Sequence, residues 1–383
     1  NRFVKKNDAL VISSYLPLIE EIKLEIALGQ WPQIWRPFEF RTHTIPDQQL
    51  RKKLTEKIAK KNEENIDNIL SFLIFELLPV CYLEDFTAQN DLIEKLPWPK
   101  SPKFIFTSNN FHTDEIFKLW TALKVDKGTK YYIGQHGNNY YTKKNISPTI
   151  EEKTADKFIT WGWTNGLSNY KSGFIFNTAG KKKNNYNNKG GLLLIEGTYD
   201  LKGVTWDTYS EFDEYFKDQK KFVTHLTEIP KKNLKIKLYP GFQNKHFKED
   251  SRWLDFDPSL RIIKENSNIR NLIKNSRLVV HSYDSSGILE LLSLNVPFIA
   301  FLYNKTEHLR DSAKPYYNLL EKEGIIHYNV DSAIFKINEI YENIDKWWKS
   351  DNVQEARNIF CKKFARTSKN PGYDISKIIN TIP

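Results

Sequence analysis

Apolar positions along the chain switch between two periods. Short dense runs, Lys103–Phe–Ile–Phe–Thr107, Lys130–Tyr–Tyr–Ile133 and Lys157–Phe–Ile–Thr160, have the length and β-branched or aromatic content of buried strands. Between the first two, residues 113–123 space their apolar side chains as a helix does, and Asp114 and Glu115 in the first turn suit its positive end. Strand–helix–strand alternation predicts a parallel sheet covered by helices. Upstream, residues 11–28 and 48–77 predict helices. The most apolar stretch, 69–83, is interrupted by Glu76 and Pro79, which makes it too short and broken to span a bilayer and predicts a buried helix.

Residues 180–191 are polar without an apolar period and read as an interdomain linker or a long exposed loop. The alternation then restarts. Strands are predicted at Gly191–Ile195, 234–239, 277–281 and 297–301, with helices at 209–227, Ile269–Asn275 and 286–294, and residues 331–383 mainly helical. A length of 383 residues suits two domains. The expected division is an α/β domain over 1–185, a second over 186–350, and a helical segment over 351–383 packing back on the first.

Composition narrows this picture a little. With 40% hydrophobic and 27% charged residues the chain is globular rather than disordered. Ten Trp, 19 Tyr and 24 Phe offer stacking surfaces for sugars or bases as well as core. Cys81 and Cys361 stand alone, without disulfide or metal-type spacing, and no secretory leader is evident, so a cytoplasmic protein is expected. The net charge, 57 − 47 = +10, is spread along the chain and interleaved with acids. It reads mainly as solvated surface that is still compatible with peripheral contact with an anionic membrane at its inner face.

The most informative segment is Arg277-Leu-Val-Val-His-Ser-Tyr-Asp-Ser-Ser-Gly-Ile-Leu-Glu290. A strand ends at His281, and a short turn through Ser282 leads into a helix capped by Ser285 or Ser286. Ligands of open α/β sheets bind at such strand ends, where helix N–H groups favour phosphate. Ser282, Ser285, Ser286 and Gly287 are therefore nucleotide-binding candidates, and Glu290, one turn on, suits the hydroxyls of a ribose. In Tyr132-Ile-Gly-Gln-His-Gly-Asn-Asn-Tyr-Tyr141 another strand enters a glycine-containing turn. Gln135, Gly137 and Asn138 are substrate-binding candidates there, and His136 is a candidate general base. Glu196 and Asp200, just past the Gly191–Ile195 strand, are further catalytic candidates, or simple turn carboxylates. Lys237 and Tyr239, at another strand end, can meet donor phosphate or base. Walker A, G-x-G-x-x-G and H-E-x-x-H patterns are missing, and Asp255-Phe-Asp257 reads as turn chemistry, so no metal and no cofactor are expected.

The string Gln135-His-Gly-Asn-Asn-Tyr140, with Ala155-Asp-Lys-Phe-Ile-Thr-Trp-Gly-Trp163 and the block from His281 to Pro297, resembles the LIC12162 family of bacterial transferases found with surface-polysaccharide gene sets. The resemblance runs from about Trp31 to Trp347-Trp348; the family usually reads Q-H-G-G, and Asn138 departs from it. More distantly, the strand–Ser-Ser–helix–Glu arrangement is similar to the nucleotide site of CMP-sugar-using GT-B enzymes, namely Kdo transferases and some bacterial sialyltransferases. That similarity implies phosphate on Ser285 and Ser286 and ribose on Glu290, while Tyr239-Pro240 stands where sialyltransferases carry His-Pro. A similar Ser-Ser turn marks teichoic-acid polymerases that use CDP-glycerol or CDP-ribitol.

The resemblances imply a GT-B-like α/β protein with two doubly wound Rossmann-like domains facing a cleft, the acceptor against the first and the nucleotide sugar in the second. The expected activity is transfer of a sugar, a CMP-activated ulosonic or nonulosonic acid, to a bacterial surface glycan or lipid-linked glycan, without metal. Two alternatives stay open: a CDP-alditol phosphotransferase of the same fold, and a non-catalytic basic protein binding glycan or nucleic acid. The helix start with Ser285, Ser286 and Glu290 favours a mononucleotide donor over nucleic acid.

Overall fold

The computed structural model describes every residue except 2, 59–65, 145, 198–211, 240–246, 265, 266, 304 and 381–383. Two compact units emerge: residues 1–14 with 25–134, and residues 15–24 with 135–383. The 185/186 boundary read from the polar stretch separates the chain by strand sets, β1–β5 before it and β6–β11 after it.

The first half contains β1 (Leu10–Ile12), α1 (Leu18–Ala27), α2 (Gln48–Ile58), α3 (Ile66–Leu77), α4 (Phe86–Lys95) and β2 (Phe104–Thr107). It continues with α5 (Glu115–Asp126), β3 (Lys130–Gly134), α6 (Ile150–Thr154), β4 (Lys157–Thr160) and β5 (Tyr170–Ser172). In the first unit β1, β2 and β3 pair in parallel in that order. Asp114 caps α5, its side chain accepting from the Phe117 N–H.

The second half runs β6 (Gly191–Ile195), α7 (Phe212–His225), α8 (Glu228–Lys232), β7 (Leu234–Lys237), α9 (Glu249–Phe256), β8 (Arg261–Ile263), α10 (Ile269–Lys274) and β9 (Ser276–His281). Then come α11 (Ser286–Leu294), β10 (Phe298–Phe301), α12 (Lys314–Lys322), β11 (Ile326–His327) and α13 (Val330–Ile340). The chain closes with α14 (Ile344–Trp348), α15 (Asp351–Phe364) and α16 (Pro371–Asn380). The six-stranded parallel sheet has the order β11-β10-β9-β6-β7-β8. Chain direction across it reverses between β6 and β9, which makes their carboxyl ends the topological switch point where such sheets take ligands. Register places Ile195 beside both Lys237 and His281 at that edge.

Leu194, Ile236, Val280, Ile299 and Phe301 of this sheet are sealed against Phe216 and Phe222 of α7 and Ile334 and Ile337 of α13. Each such side chain contributes roughly 1.5–3 kcal/mol on burial. Because helices cover the sheet, its strands read as continuous apolar runs, which made them visible in the sequence.

Two expectations need correction. Residues 10–12 form a strand rather than the start of a helix, because they pair with Ile105–Thr107 of β2. The apolar stretch beginning at Ile69 is helical but not buried: the described apolar side chains of α3 are largely exposed. Residues 180–191, read as an interdomain linker or a long exposed loop, run between β5 and the start of β6, are mostly exposed, and fall within the second compact unit. The Asn184 N–H donates to the Leu294 carbonyl and the Asn187 N–H to that of Ser276, while the Tyr186 hydroxyl donates to Asp345. Within the second unit, Arg366 exchanges backbone hydrogen bonds with Trp161 and Ile175, and the Gly372 N–H donates to Glu20. A Cβ on Gly372 would fall 2.7 Å from the Glu20 carbonyl oxygen, so this α16–α1 approach requires glycine. Among the described residues, no helix is long and apolar enough to cross a membrane.

Candidate functional site

A cavity of about 830 Å³ opens at the switch point of the six-stranded sheet, within the second unit. Its floor is the carboxyl end of β6, β7 and β9, with Ile195, Glu196, Lys237 and His281. One wall is the N-terminus of α11, presenting Ser285, Ser286, Gly287 and Glu290. Leu238, Tyr239, Ile269, Ile273 and Tyr283 supply an apolar and aromatic lining. Lys143, Lys181, Lys182, Lys237 and Arg270 set five cations against Glu196, Asp284 and Glu290. A helix N-terminus in a cavity with excess positive charge suits a phosphorylated ligand.

The start of α11 is built for close contact. Ser285 is its N-cap residue, yet its hydroxyl makes no cap bond and lies 3.4 Å from His281 Nδ1. Gly287 sits directly over that imidazole: a Cβ there would come within 2.8 Å of His281 Cε1. Burial pushes the His281 imidazole down to about 4, so it is neutral at physiological pH. Glu290 is oriented by Asn177, whose Nδ2 donates to its Oε1 at 2.9 Å.

The turn after β3 is locked onto this helix. The Asn138 N–H donates to Ser286 Oγ, and the Asn138 amide donates to Asp284 at 2.9 Å. Asp284 is buried; its other oxygen pairs with His308 Nε2 at 3.1 Å, and the Tyr317 hydroxyl lies at 3.3 Å. Burial alone would raise this carboxyl, but the hydrogen bonds from His308 and Tyr317 and the charge of Lys143 outweigh it and hold Asp284 below the usual carboxylate range.

The residues singled out from sequence divide into those lining the cavity and those serving its frame. Ser285, Ser286, Gly287, Glu290, Lys237, Tyr239, Glu196 and Asn138 all line it. Lys237 is buried, which lowers its ammonium from the ordinary value. Glu196 is fully buried between Trp253, whose Nε1 donates to both carboxylate oxygens at 3.1 and 3.2 Å, and Glu249. Burial, then the Glu249 charge, raise it well above a normal carboxyl.

Ser282 faces inward, bonded to the Tyr215 hydroxyl at 3.0 Å. Gln135 serves the fold: its Oε1 accepts from the Trp161 N–H and Trp163 Nε1, and its Nε2 donates to the Gly137 carbonyl. Gly137 approaches Ser286 rather than open cavity, a Cβ there falling 3.3 Å from its Oγ. His136 lies off the cavity lining, half-buried, with Nδ1 at 2.9 Å from the Tyr140 hydroxyl. Tyr140 donates its proton to Glu151, and burial followed by that bond raises its pKa, so His136 must be the donor at Nδ1. Its Nε2 is then the basic nitrogen. Asp200 lies outside the described residues.

Sequence reasoning missed Asp284, His308, Asn177, Lys181 and Arg270. Lys181 and Arg270 sit in segments read as linker and ordinary helix. Burial, reinforced by Arg270 and opposed by Glu290, brings the Lys181 ammonium down to about 8. Only Asp284 carried a signal, a carboxylate inside the turn before a helix.

The sequence profile described as LIC12162 family transferase matches residues 1–379. No curated protein sequence matches the chain. Among solved structures, Alr3699/HepE of Anabaena in complex with UDP and glucose is similar with a TM-score of 0.50 at 11% identity, covering 98% of this chain and 100% of that one. The MnaA–UDP structure from S. aureus reaches 0.47 at 14% identity, covering 98% and 96%. MurG of Acinetobacter baumannii reaches 0.46 at 10% identity, covering 99% and 100%. The fold, two parallel α/β sheets in one chain, is GT-B-like.

Proposed function

The chain belongs to the LIC12162 family of transferases, and from that premise we propose that it is a glycosyltransferase using a nucleotide-sugar donor bound in the switch-point cavity. The observation that carries this reading is the start of α11. Ser285, whose hydroxyl makes no cap bond to the helix, shares one cavity with Ser286, Glu290, Lys181 and Arg270. Phosphate sits against the helix N-terminus and the two serines, and the ribose hydroxyls meet Glu290. The base stacks towards Tyr239 or Tyr283.

In the transfer, the bond from anomeric carbon to phosphate oxygen breaks with its electron pair leaving on phosphate. The helix dipole, Lys181 and Arg270 stabilise that charge. The acceptor oxygen forms the new bond, and its proton passes to His136 Nε2, the Nδ1 proton being held by Tyr140 and Glu151. Glu196, whose carboxyl pKa is raised by burial, lines the same cavity and is held by Trp253. The donor is a CMP-linked ulosonic or nonulosonic acid and the acceptor a bacterial surface glycan; the Ser-Ser–helix–Glu order supports the CMP choice.

The test is thermal stabilisation by CMP, CDP, UDP, GDP and dTDP, repeated with Glu290→Ala. A shift selective for CMP that disappears in the variant is expected. A shift with UDP, GDP or dTDP instead overturns the donor, and no shift with any nucleotide overturns the reading. Mass analysis of the product separates sugar transfer from alditol-phosphate transfer, since both release CMP.

A further inference from the structure

Helix α3 carries Ile66, Ile69, Leu70, Leu73 and Leu77 at the i, i+3, i+4, i+7, i+11 spacing of a face that packs inward in a globular domain. Here that face is turned to solvent, from 40% exposed at Leu73 to 74% at Leu77. The end of the helix is held through its backbone. Arg51 of α2, itself buried and paired with Glu84 at 2.7 Å, donates through one nitrogen to the carbonyls of Phe75 at 2.6 Å and Glu76 at 3.2 Å. These are last-turn carbonyls with no intrahelical partner, so the guanidinium stabilises the end of α3 without using its apolar side chains. Beside it, α2 exposes Lys52, Lys53 and Lys57 against a single exposed acid, Glu56.

We propose that the α2–α3 pair docks the protein on an anionic lipid bilayer. The apolar face of α3 enters the boundary between headgroups and acyl chains, and the α2 lysines meet lipid phosphates. At 12 residues α3 is about 18 Å long, which suits lying in the interface and not crossing it. The charges favour a bilayer over a second copy of the chain. Anionic lipid supplies the negative charge that Lys52, Lys53 and Lys57 would meet, whereas a second copy of α2 brings the same lysines. This docking is independent of the nucleotide reading, since α2 and α3 belong to the first unit and the assay below contains no nucleotide.

The experiment is co-sedimentation of the full chain with phosphatidylcholine vesicles, with and without phosphatidylglycerol, at low and high salt. Partitioning is expected to rise about tenfold or more with phosphatidylglycerol and to fall with salt. Ile69→Ser, Leu73→Ser and Leu77→Ser together are expected to lower it about a hundredfold. Lys52→Glu, Lys53→Glu and Lys57→Glu together are expected to abolish the phosphatidylglycerol preference. Circular dichroism of each variant reports that it is folded. Absence of vesicle binding by the unaltered chain, or unchanged binding by the folded serine variant, overturns the proposal. So does a dimer, seen by light scattering, that the serine changes dissociate.

Discussion

The backbone N–H of Asn138 donates to Ser286 Oγ at 3.1 Å, joining two turns 148 positions apart in the chain. One turn follows β3 and the other opens α11. Gly137 allows the approach, and Asp284 receives the Asn138 side chain at 2.9 Å. A serine of the proposed phosphate site is therefore positioned before any ligand arrives, which lowers the ordering cost of binding.

Asp284→Ala removes the acceptor for Asn138, His308 and Tyr317 at once in a buried setting. A loss of about 3–5 kcal/mol is expected, because the partners are left buried and unpaired. Asp284→Asn keeps one carbonyl acceptor and costs less. Urea unfolding of both variants measures this; a cost below about 1 kcal/mol for the alanine change would mean the network does not hold the turn.

Gly287→Ala places a methyl group 2.8 Å from His281 Cε1 and 3.0 Å from its Nε2. Overpacking of this kind costs about 1–3 kcal/mol, more than the helix propensity gained. His281→Ala removes the obstacle, so the double variant should lose less than the sum of the two single changes. Additive losses in a denaturation cycle would show that the two residues do not collide.

Nucleotide affinity should depend on the charge of Lys181. With its ammonium near 8, the lysine is mostly protonated at pH 7 and mostly neutral at pH 9. If it meets donor phosphate, affinity falls by about tenfold over that interval, as the protonated fraction does. Titration calorimetry at the two values reads the change, and Lys181→Arg should flatten it. An unaltered slope in that variant would assign the dependence elsewhere.

His281 and His327 both lie near 4 when folded because burial disfavours their charged forms. An unfolded histidine titrates near 6.5, so between these values the unfolded chain binds protons that the folded chain refuses. Stability therefore falls as pH falls from 6.5 towards 4, by roughly 2–3 kcal/mol for each imidazole at pH 4.5. Thermal melts from pH 7 to 4.5 follow the loss. His327→Gln, which keeps hydrogen-bonding capacity near Ser332 and Gly324, should make the decline shallower. An equally steep decline would exclude His327 as a contributor.

Much of the second sheet was legible because its strands are buried on both faces. Gly191–Ile195 and the helix from Ser286 to Leu294 fall where the apolar periods place them. Strands β1, β5, β8 and β11, of two or three residues, had no period to read; pairing with neighbours makes them strands. At the site, the sequence pointed to Ser285, Ser286 and Glu290 because a strand end, a polar turn and a helix start are local features. It could not separate Gln135, whose polar atoms are used by Trp161, Trp163 and Gly137, from groups available to substrate.

The sequence by itself determined the alternation of strands and helices and the chemistry at the start of α11. Both depend on residues within a few turns of one another. Tertiary structure alone decided that Asp284 would meet His308 and that Lys181, from a polar stretch, would join Arg270 at the cavity. It also decided that the apolar face of α3 would be left uncovered. A period records that a face is apolar; what lies against it depends on how distant segments pack, and that packing also sets the burial and charges that shift the site's ionisable groups.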